Sequence, residues 1–385
     1  MTAGGTYRPS WHGEDTEALA SLTTAFMRKE FVPHRERFEE QQHVDRELWR
    51  SAGEHGLLCC AVPIEFGGPG GELVHDLAVL EAHTRMADAT WGNMVHSGIV
   101  SHYILAFGTE EQKHRWLPGM VAGDLVAAIA MTEPGTGSDL QAITTRAKRE
   151  GTEYVINGAK TFISNGYLAD LVIVVASTDP AAGHRGISLI VVETAGCPGF
   201  SRGRMLRKLG SHSADTSELF FDDVRVPATN LLGGEEGRGF VQLMEQLPQE
   251  RLLIGLQAAG MTALALEETI AYTKSRQAFG RSVFDNQNTQ FVLAEAATKA
   301  DAARVFLDWC IGRHLAGQLT AATAAQCKWL LTEVLCEVVD QCLQLFGGYG
   351  YMTEYPIARL YADARATKIF GGTNEIMRQV IAKSL

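Results

Sequence analysis

The 385-residue chain lacks any long hydrophobic run, any excess of basic charge and any cysteine spacing of a metal-binding or disulfide-stapled kind. Its most apolar stretches, LVIVVAS (Leu171–Ser177) and ISLIVVET (Ile187–Thr194), are strand-length and too short to span a bilayer. The N-terminus has no basic-then-apolar signal pattern. Lys and Arg number 34 against 45 Asp and Glu, giving a net charge of −11. That balance argues against a nucleic-acid surface, where affinity rests on neutralising phosphates. It leaves room for a small anionic ligand held by a local arginine cluster. The seven cysteines, including adjacent Cys59 and Cys60, show no CxxC spacing, and their odd number reads as reduced intracellular thiols. The expectation is a cytoplasmic protein without a bound metal.

Doubly wound nucleotide folds are also disfavoured, because the chain has no alternation of strands and helices. At this length one core stops growing and two or three packed units are expected. ALASLTTAFMRKEFV (Ala18–Val32) and WRSAGEHGLL (Trp49–Leu58) carry helical apolar spacing, and the breaker cluster PIEFGGPGG (Pro63–Gly71) after them is a loop. After Asp124 the texture turns to strands. YVINGAKTFISNG (Tyr154–Gly166) holds two apolar runs joined by Asn157-Gly158, a hairpin signal. SELFFDDVRVP continues the strand character to Pro227, and long helices return from Gly239. The expected division is an N-terminal helical domain over 1–124, a β domain over 125–234 and a helical domain over 235–385.

Chemistry concentrates in three places. MTEPGTGSDL (Met131–Leu140) is a Gly/Ser-rich loop able to offer hydroxyls and N–H groups to a polar ring edge or a phosphate, although such a loop is more often only a turn. TKSRQAFGRSVFDNQNTQF (Thr273–Phe291) offers Arg276, whose guanidinium fork suits phosphate oxygens, or which is an ordinary helix-end cation. LPQERLLIG (Leu247–Gly255) contains Glu250 beside Arg251. Pro248 cannot continue a regular helix, so Glu250 is expected near a kink or a fresh helical start. Read alone, Glu250 is as well explained as an acid in a helix's first turn.

Together these strings resemble the acyl-CoA dehydrogenases. MTEPGTGSDL is similar to their TEPxxGSD signature, KTFISNG (Lys160–Gly166) to a W-I-T-N-G element, and RQAFGRSVFDNQ to RxxFGxxxxxxQ. The tail QLFGGYGYMTEYPIARLYADARATKIFGGTNEIMR (Gln344–Arg378) is similar to their C-terminal signature, and the likeness spans nearly the whole chain. The resemblance implies an α+β fold with an N-terminal helical domain, a middle β-barrel or sandwich and a C-terminal four-helix bundle. It implies FAD as cofactor, with Ile129, Met131 and Thr132 along the flavin and Ser138 at its phosphate or ribityl side, near the substrate. Phe162 covers one face of the ring, with stacking area kept but the indole N–H of Trp lost, and Ser164 lies near N5. Arg276, Phe279 and Gln287, completed by Gln344 and Gly348, serve the flavin of a neighbouring subunit, which makes the expected assembly a tetramer built as a dimer of dimers. Phe370, Thr373 and Glu375 fall on the cofactor side as well.

The family commonly carries a glutamate before the Gly-Thr of this tail, and here that place is Gly371. A branch including the long-chain and isovaleryl enzymes instead carries its base on a helix next to an arginine, which implies Glu250, with Arg251 orienting the carboxylate or fixing nearby backbone. Gly371 keeps the N–H that would polarise the thioester oxygen. The implied reaction is α,β-dehydrogenation of a saturated medium-chain, long-chain or branched acyl-CoA, with an electron-transfer flavoprotein as acceptor. Trp91 and Val95 are candidate walls of the acyl tunnel, Trp91 equally a core residue, and His96 reads as a packing histidine. Two other readings stand beside this one: an oxygen-using oxidase or monooxygenase on the same scaffold, and a non-catalytic acyl-CoA-binding or assembly protein.

Overall fold

The computed structural model describes residues 7–86 and 90–385; the first six residues, where the N-terminal domain was expected to begin, lie outside the described residues. Among the described residues six α-helices make the first third: α1 (Glu14–Phe26), α2 (Arg35–Gln41), α3 (Arg46–Glu54), α4 (Leu73–Thr84), α5 (Ser101–Phe107) and α6 (Glu110–Val121). The start of α6 shows the local logic. Thr109 accepts from the Gln112 N–H, the Gln112 side chain returns the favour at the Thr109 N–H, and Glu110 and Glu111 sit in the first turn where the helix dipole favours them. Met27–Phe31 after α1 and Met94–Val100 before α5 are π-helical, so the helix expected through Val32 widens at its end.

Seven strands follow: β1 (Ala127–Ala130), β2 (Arg146–Glu150), β3 (Glu153–Ser164), β4 (Leu171–Ser177), β5 (Ile187–Glu193), β6 (Phe200–Met205) and β7 (Thr216–Pro227). They form one sheet in the order β1-β4-β2-β3-β7-β6, with β5 also on β4. Every residue of β4 is buried, which is why its sequence is unbroken apolar. The hairpin expected at Asn157-Gly158 is not formed there. Strand β3 runs through, and the pair lies at a bulge against β7. Gly158 serves close approach instead, since a Cβ would stand 2.4 Å from Thr145 Oγ1. The turn is made by Gly151-Thr152, between paired Glu150 and Glu153, where Gly151 supplies the positive φ.

The last third is helical: α7 (Gly239–Ser275), a two-residue hairpin of β8 (Gln277–Ala278) and β9 (Arg281–Ser282), α8 (Gln287–Leu315), α9 (Ala321–Phe346), α10 (Pro356–Thr367) and α11 (Asn374–Ala382). Helices α7 to α10 pack around Leu252, Leu256, Leu307, Leu331 and Leu335. Pro248 lies inside α7, which starts at Gly239 and continues through it, so the fresh start expected at Glu250 does not occur. Burial of the flanking turns on both sides outweighs the one N–H that proline cannot donate. Among the described residues no helix is long and apolar enough to cross a membrane, no metal-ligand cluster occurs, and all seven cysteines are free.

Candidate active site

Some of the residues singled out by sequence line two cavities, and Glu250 and Gly371 are not in the lining of either. The first, of about 460 Å³, opens between α4, the π-helical turn, α7, α10 and the middle sheet. Trp91, Val95, Phe162, Ser164 and Phe370 line it, with Leu80, Leu253, Gln257 and Met261. Trp91 packs on Trp49 with ring centroids 4.7 Å apart, and it also lines the cavity. His96 does not line it. Its Nε2 meets the Met120 carbonyl at 3.0 Å while Nδ1 accepts from the Ala127 N–H, tying α6 to β1, and burial holds its pKa down at about 4.

Strand β3 brings Phe162 and Ser164 to this cavity and fastens the Met131–Thr132 segment, which is not in its lining. The Thr161 N–H donates to the Thr132 carbonyl at 2.9 Å, and the next residue, Phe162, has φ of +60° at a bulge and stays 67% exposed. A large aromatic in the left-handed region costs about 1–2 kcal/mol, and this one turns its ring toward the cavity rather than into the core. Beneath it, Lys160 is fully buried and bonds the Met131 carbonyl and Glu133 Oε1, each at 2.9 Å. Burial pulls Lys160 down to about 8 against the pull of Glu133. Burial opposes ionisation of Glu133 too, yet Thr145, Thr144 and Lys160 together hold it at about 2. Met131 and Thr132 are thus fastened to β3, whereas Ile129 sits within β1 and Ser138 is exposed on the far part of the loop.

Glu250 lies on the stripe of α7 that faces this cavity. Leu253, Gln257 and Met261, three, seven and eleven residues on, line its wall. Ile254, one turn on, reaches Gly371, where a Cβ would stand 2.2 Å from Ile254 Cδ1. Gly371 has φ of +65°, so the tail has neither the room nor the backbone for an easy side chain here. Its N–H has no backbone acceptor among the described residues. Lys328 on α9, fully buried, clamps the next carbonyl, Gly372 O, at 2.9 Å and Asn374 Oδ1 at 2.7 Å; burial, and then the charge of Arg251, bring it to about 8.

Glu250 is 7% exposed, and burial pushes the pKa of its carboxyl up to about 7, partly offset by a hydrogen bond from Tyr103 and the charge of Arg251. The Tyr103 hydroxyl donates to Oε1 at 2.8 Å. Arg251 forms no hydrogen bond or ion pair with Glu250, since consecutive helix residues point apart, and its Nε is buried without a partner. Tyr103, Lys160 and Lys328 had no assigned role in the sequence. A lone lysine inside an apolar helical run, as in AAQCKWLL, was the available sign for Lys328; SHYIL gives none for Tyr103.

The second cavity, of about 700 Å³, is separate and is lined by Arg276, Gln344, Gly348, Tyr272 and Tyr349. Arg276 has no carboxylate partner among the described residues and stands over the Tyr349 ring at 5.6 Å. Phe279 and Gln287 are outside it. Phe279 occupies the β8–β9 turn with φ of +53° and is fully exposed, and Gln287 is exposed at the start of α8. Thr373 caps α11 by accepting from the Ile376 N–H, and Glu375 pairs with Arg378 at the surface. The two sets suit the two ends of FAD: an exposed aromatic with small hydroxyls for a flat polar ring, and an unpaired guanidinium for phosphates.

Three family models match: acyl-CoA dehydrogenase N-terminal domain over residues 13–124, middle domain over 128–224 and C-terminal domain over 237–385. The chain is 46% identical over 362 residues to the mitochondrial long-chain specific acyl-CoA dehydrogenase of Rattus norvegicus, covering 94% of this chain and 84% of that one. Among solved structures, an acyl-CoA dehydrogenase from Geobacillus kaustophilus superposes with a TM-score of 0.95 at 44% identity, covering 98% and 99% of the two chains. A glutaryl-CoA dehydrogenase from Mycobacterium smegmatis, solved with FADH2, gives 0.89 at 28% identity, covering 97% and 95%.

Proposed function

Because the chain belongs to the acyl-CoA dehydrogenase family, and so is an FAD-dependent oxidoreductase, we propose that it oxidises saturated medium-chain, long-chain or branched acyl-CoA thioesters to trans-2-enoyl-CoA with Glu250 as the base. The observation that carries this reading is the Glu250 carboxyl itself. It is buried, poised at about 7, and shares a helix face with Leu253, Gln257 and Met261 of the cavity wall. A free carboxylate near 4.3 is too weak a base for an α-C–H, and desolvation supplies about 1.4 kcal/mol of basicity per unit of pKa. Glu250 takes the α-proton; the electron pair of the α-C–H bond becomes the Cα–Cβ π bond as the β-hydrogen leaves with its own electron pair. Bound FAD supplies the acceptor for that hydrogen and its two electrons. The Gly371 N–H, held by the Lys328 clamp on Gly372, is the donor that polarises the thioester oxygen, making the α-proton more acidic.

Leu80, Met94, Val95 and Leu253 give the acyl group an apolar wall, and Arg207 and Arg365 at the mouth suit the anionic CoA portion. Phe162 stacks on the flavin, with Met131, Thr132 and Ser164 on its polar edge, and Ser138 serves its phosphate or ribityl side. Arg276, Phe279, Gln287, Gln344 and Gly348 serve the cofactor of a second subunit in a tetramer, a reading supported by the exposed, strained Phe279 and the unpaired Arg276. An electron-transfer flavoprotein is the proposed electron acceptor. The free thiols fit a reducing compartment, and the cytoplasm is the proposed one.

The test is anaerobic mixing of acyl-CoA with FAD-loaded Glu250→Gln. The variant is expected to keep its flavin and lose substrate-induced bleaching of the oxidised flavin band. Bleaching at the wild-type rate would move the base elsewhere.

A further inference from the structure

The residue that holds Glu250 is on another domain segment. The phenol of Tyr103, fully buried on α5, donates to Oε1 at 2.8 Å, and this is the only hydrogen bond that Glu250 forms with another side chain among the described residues. The packing that aims it there is specific. The π-helical turn Met94–Val100 runs directly into α5, and its Gly98 carbonyl accepts from Gln249 Nε2 at 3.1 Å, one residue before Glu250. Gly98 is the contact point, since a Cβ there would stand 2.8 Å from Leu253 Cδ1. The Ser101 hydroxyl returns a bond to the Ser97 carbonyl, bracing the junction of the two helical segments. The turn of α7 bearing Gln249, Glu250 and Leu253 is therefore seated on the turn that leads to Tyr103.

We propose that Tyr103 is a positioning residue for the proton-abstracting step: it pins Oε1 of Glu250, so that Oε2 is the oxygen presented to the substrate's α-carbon. This rests on Glu250 being the base. A phenol donating to a carboxylate also favours the ionised form, the form that accepts a proton. Among the described residues no other titratable group bonds that carboxyl, and Arg251 acts on it through charge alone. Arg251 projects from its own place on α7 and makes no bond to Glu250, while Lys328 on α9 is engaged by Gly372 and Asn374. His102 faces Asp76 at 2.9 Å, and His314 faces Gln249 at 3.3 Å.

The experiment is a pH profile of kcat and KM for FAD-loaded Tyr103→Phe, which keeps the ring and removes only the hydroxyl. The acid limb of kcat is expected to move up by about one pH unit, the size of one charge-assisted hydrogen bond. Near pH 6 turnover then falls about tenfold, above pH 9 most of the loss is recovered, and KM changes little. Tyr103→Leu, also without a donor, is expected to shift the limb in the same direction. An acid limb that stays in place in both variants overturns the proposal. Glu250→Gln measured alongside separates the two ideas: if it still reduces its flavin, the base assignment has failed, whereas an inactive Glu250→Gln beside an unshifted Tyr103→Phe removes Tyr103 alone.

Discussion

Burying an acid that must ionise leaves a mark on stability. The Glu250 carboxyl rises from 4.5 to about 7 in the folded chain, chiefly through burial. At about 1.4 kcal/mol per pH unit, that displacement is worth about 3 kcal/mol. Because the folded value lies above the unfolded one, the contribution is fully present below pH 4.5 and is lost as pH rises through 7. Glu250→Gln keeps the shape and an acceptor for Tyr103 but does not titrate. Its thermal midpoint, measured without substrate, should therefore gain on wild type between about pH 5 and about pH 8. With an unfolding entropy of about 2.1 cal/mol/K per residue, 3 kcal/mol over this chain corresponds to about 4 °C. Differential scanning fluorimetry on both proteins across that range is sufficient. A difference between them that stays constant with pH would refute the claim that Glu250 is a desolvated, titrating carboxyl.

Two further outcomes are expected. Lys160→Met leaves Glu133 buried without its cation, and should cost about 3–5 kcal/mol in urea titration while loosening the Met131–Thr132 loop; a loss below 1 kcal/mol, with FAD retention unchanged, would remove the pair from the cofactor site. Phe279→Gly relieves an aromatic from the left-handed region where it buries nothing, so the folded chain should gain about 1 kcal/mol while FAD is retained less well. Retention equal to wild type on dilution would exclude Phe279 from cofactor contact.

The three-part plan was legible because each part has its own periodicity. The apolar runs of β4 and β5 and the long amphipathic helices from Gly239 leave little else to form. Where sequence misled, a local signal met a tertiary demand. Asn157-Gly158 has turn chemistry, yet Gly158 is there to let β3 pass Thr145, and Gly151 makes the turn. Pro248 has breaker chemistry, yet packing on both sides carries α7 through it. The motif residues were readable, and several of them converge on the cavity. The residues that hold them were not: Tyr103 and Glu250 are 147 positions apart, and Lys328 and Gly372 are 44 apart. No spacing rule links such pairs, and only folding brings them within reach. Arg251 illustrates the converse: it is adjacent to Glu250 in sequence, yet it makes no hydrogen bond to that carboxyl and acts on it through charge alone.

Helix α7 carries the candidate base and, at Leu253, Gln257 and Met261, part of the cavity wall on one continuous rod, 37 residues long. Enlarging the cavity at Leu253, Gln257 or Met261 therefore tugs on the same backbone that aims Glu250, whereas a base on a flexible tail would be insulated from such remodelling. The opposite bank is no refuge: Met94 and Val95 belong to the turn on which the Glu250 segment is seated, and Leu80 packs in the same cluster as Leu253, so any change of chain-length preference in this scaffold is felt at the base.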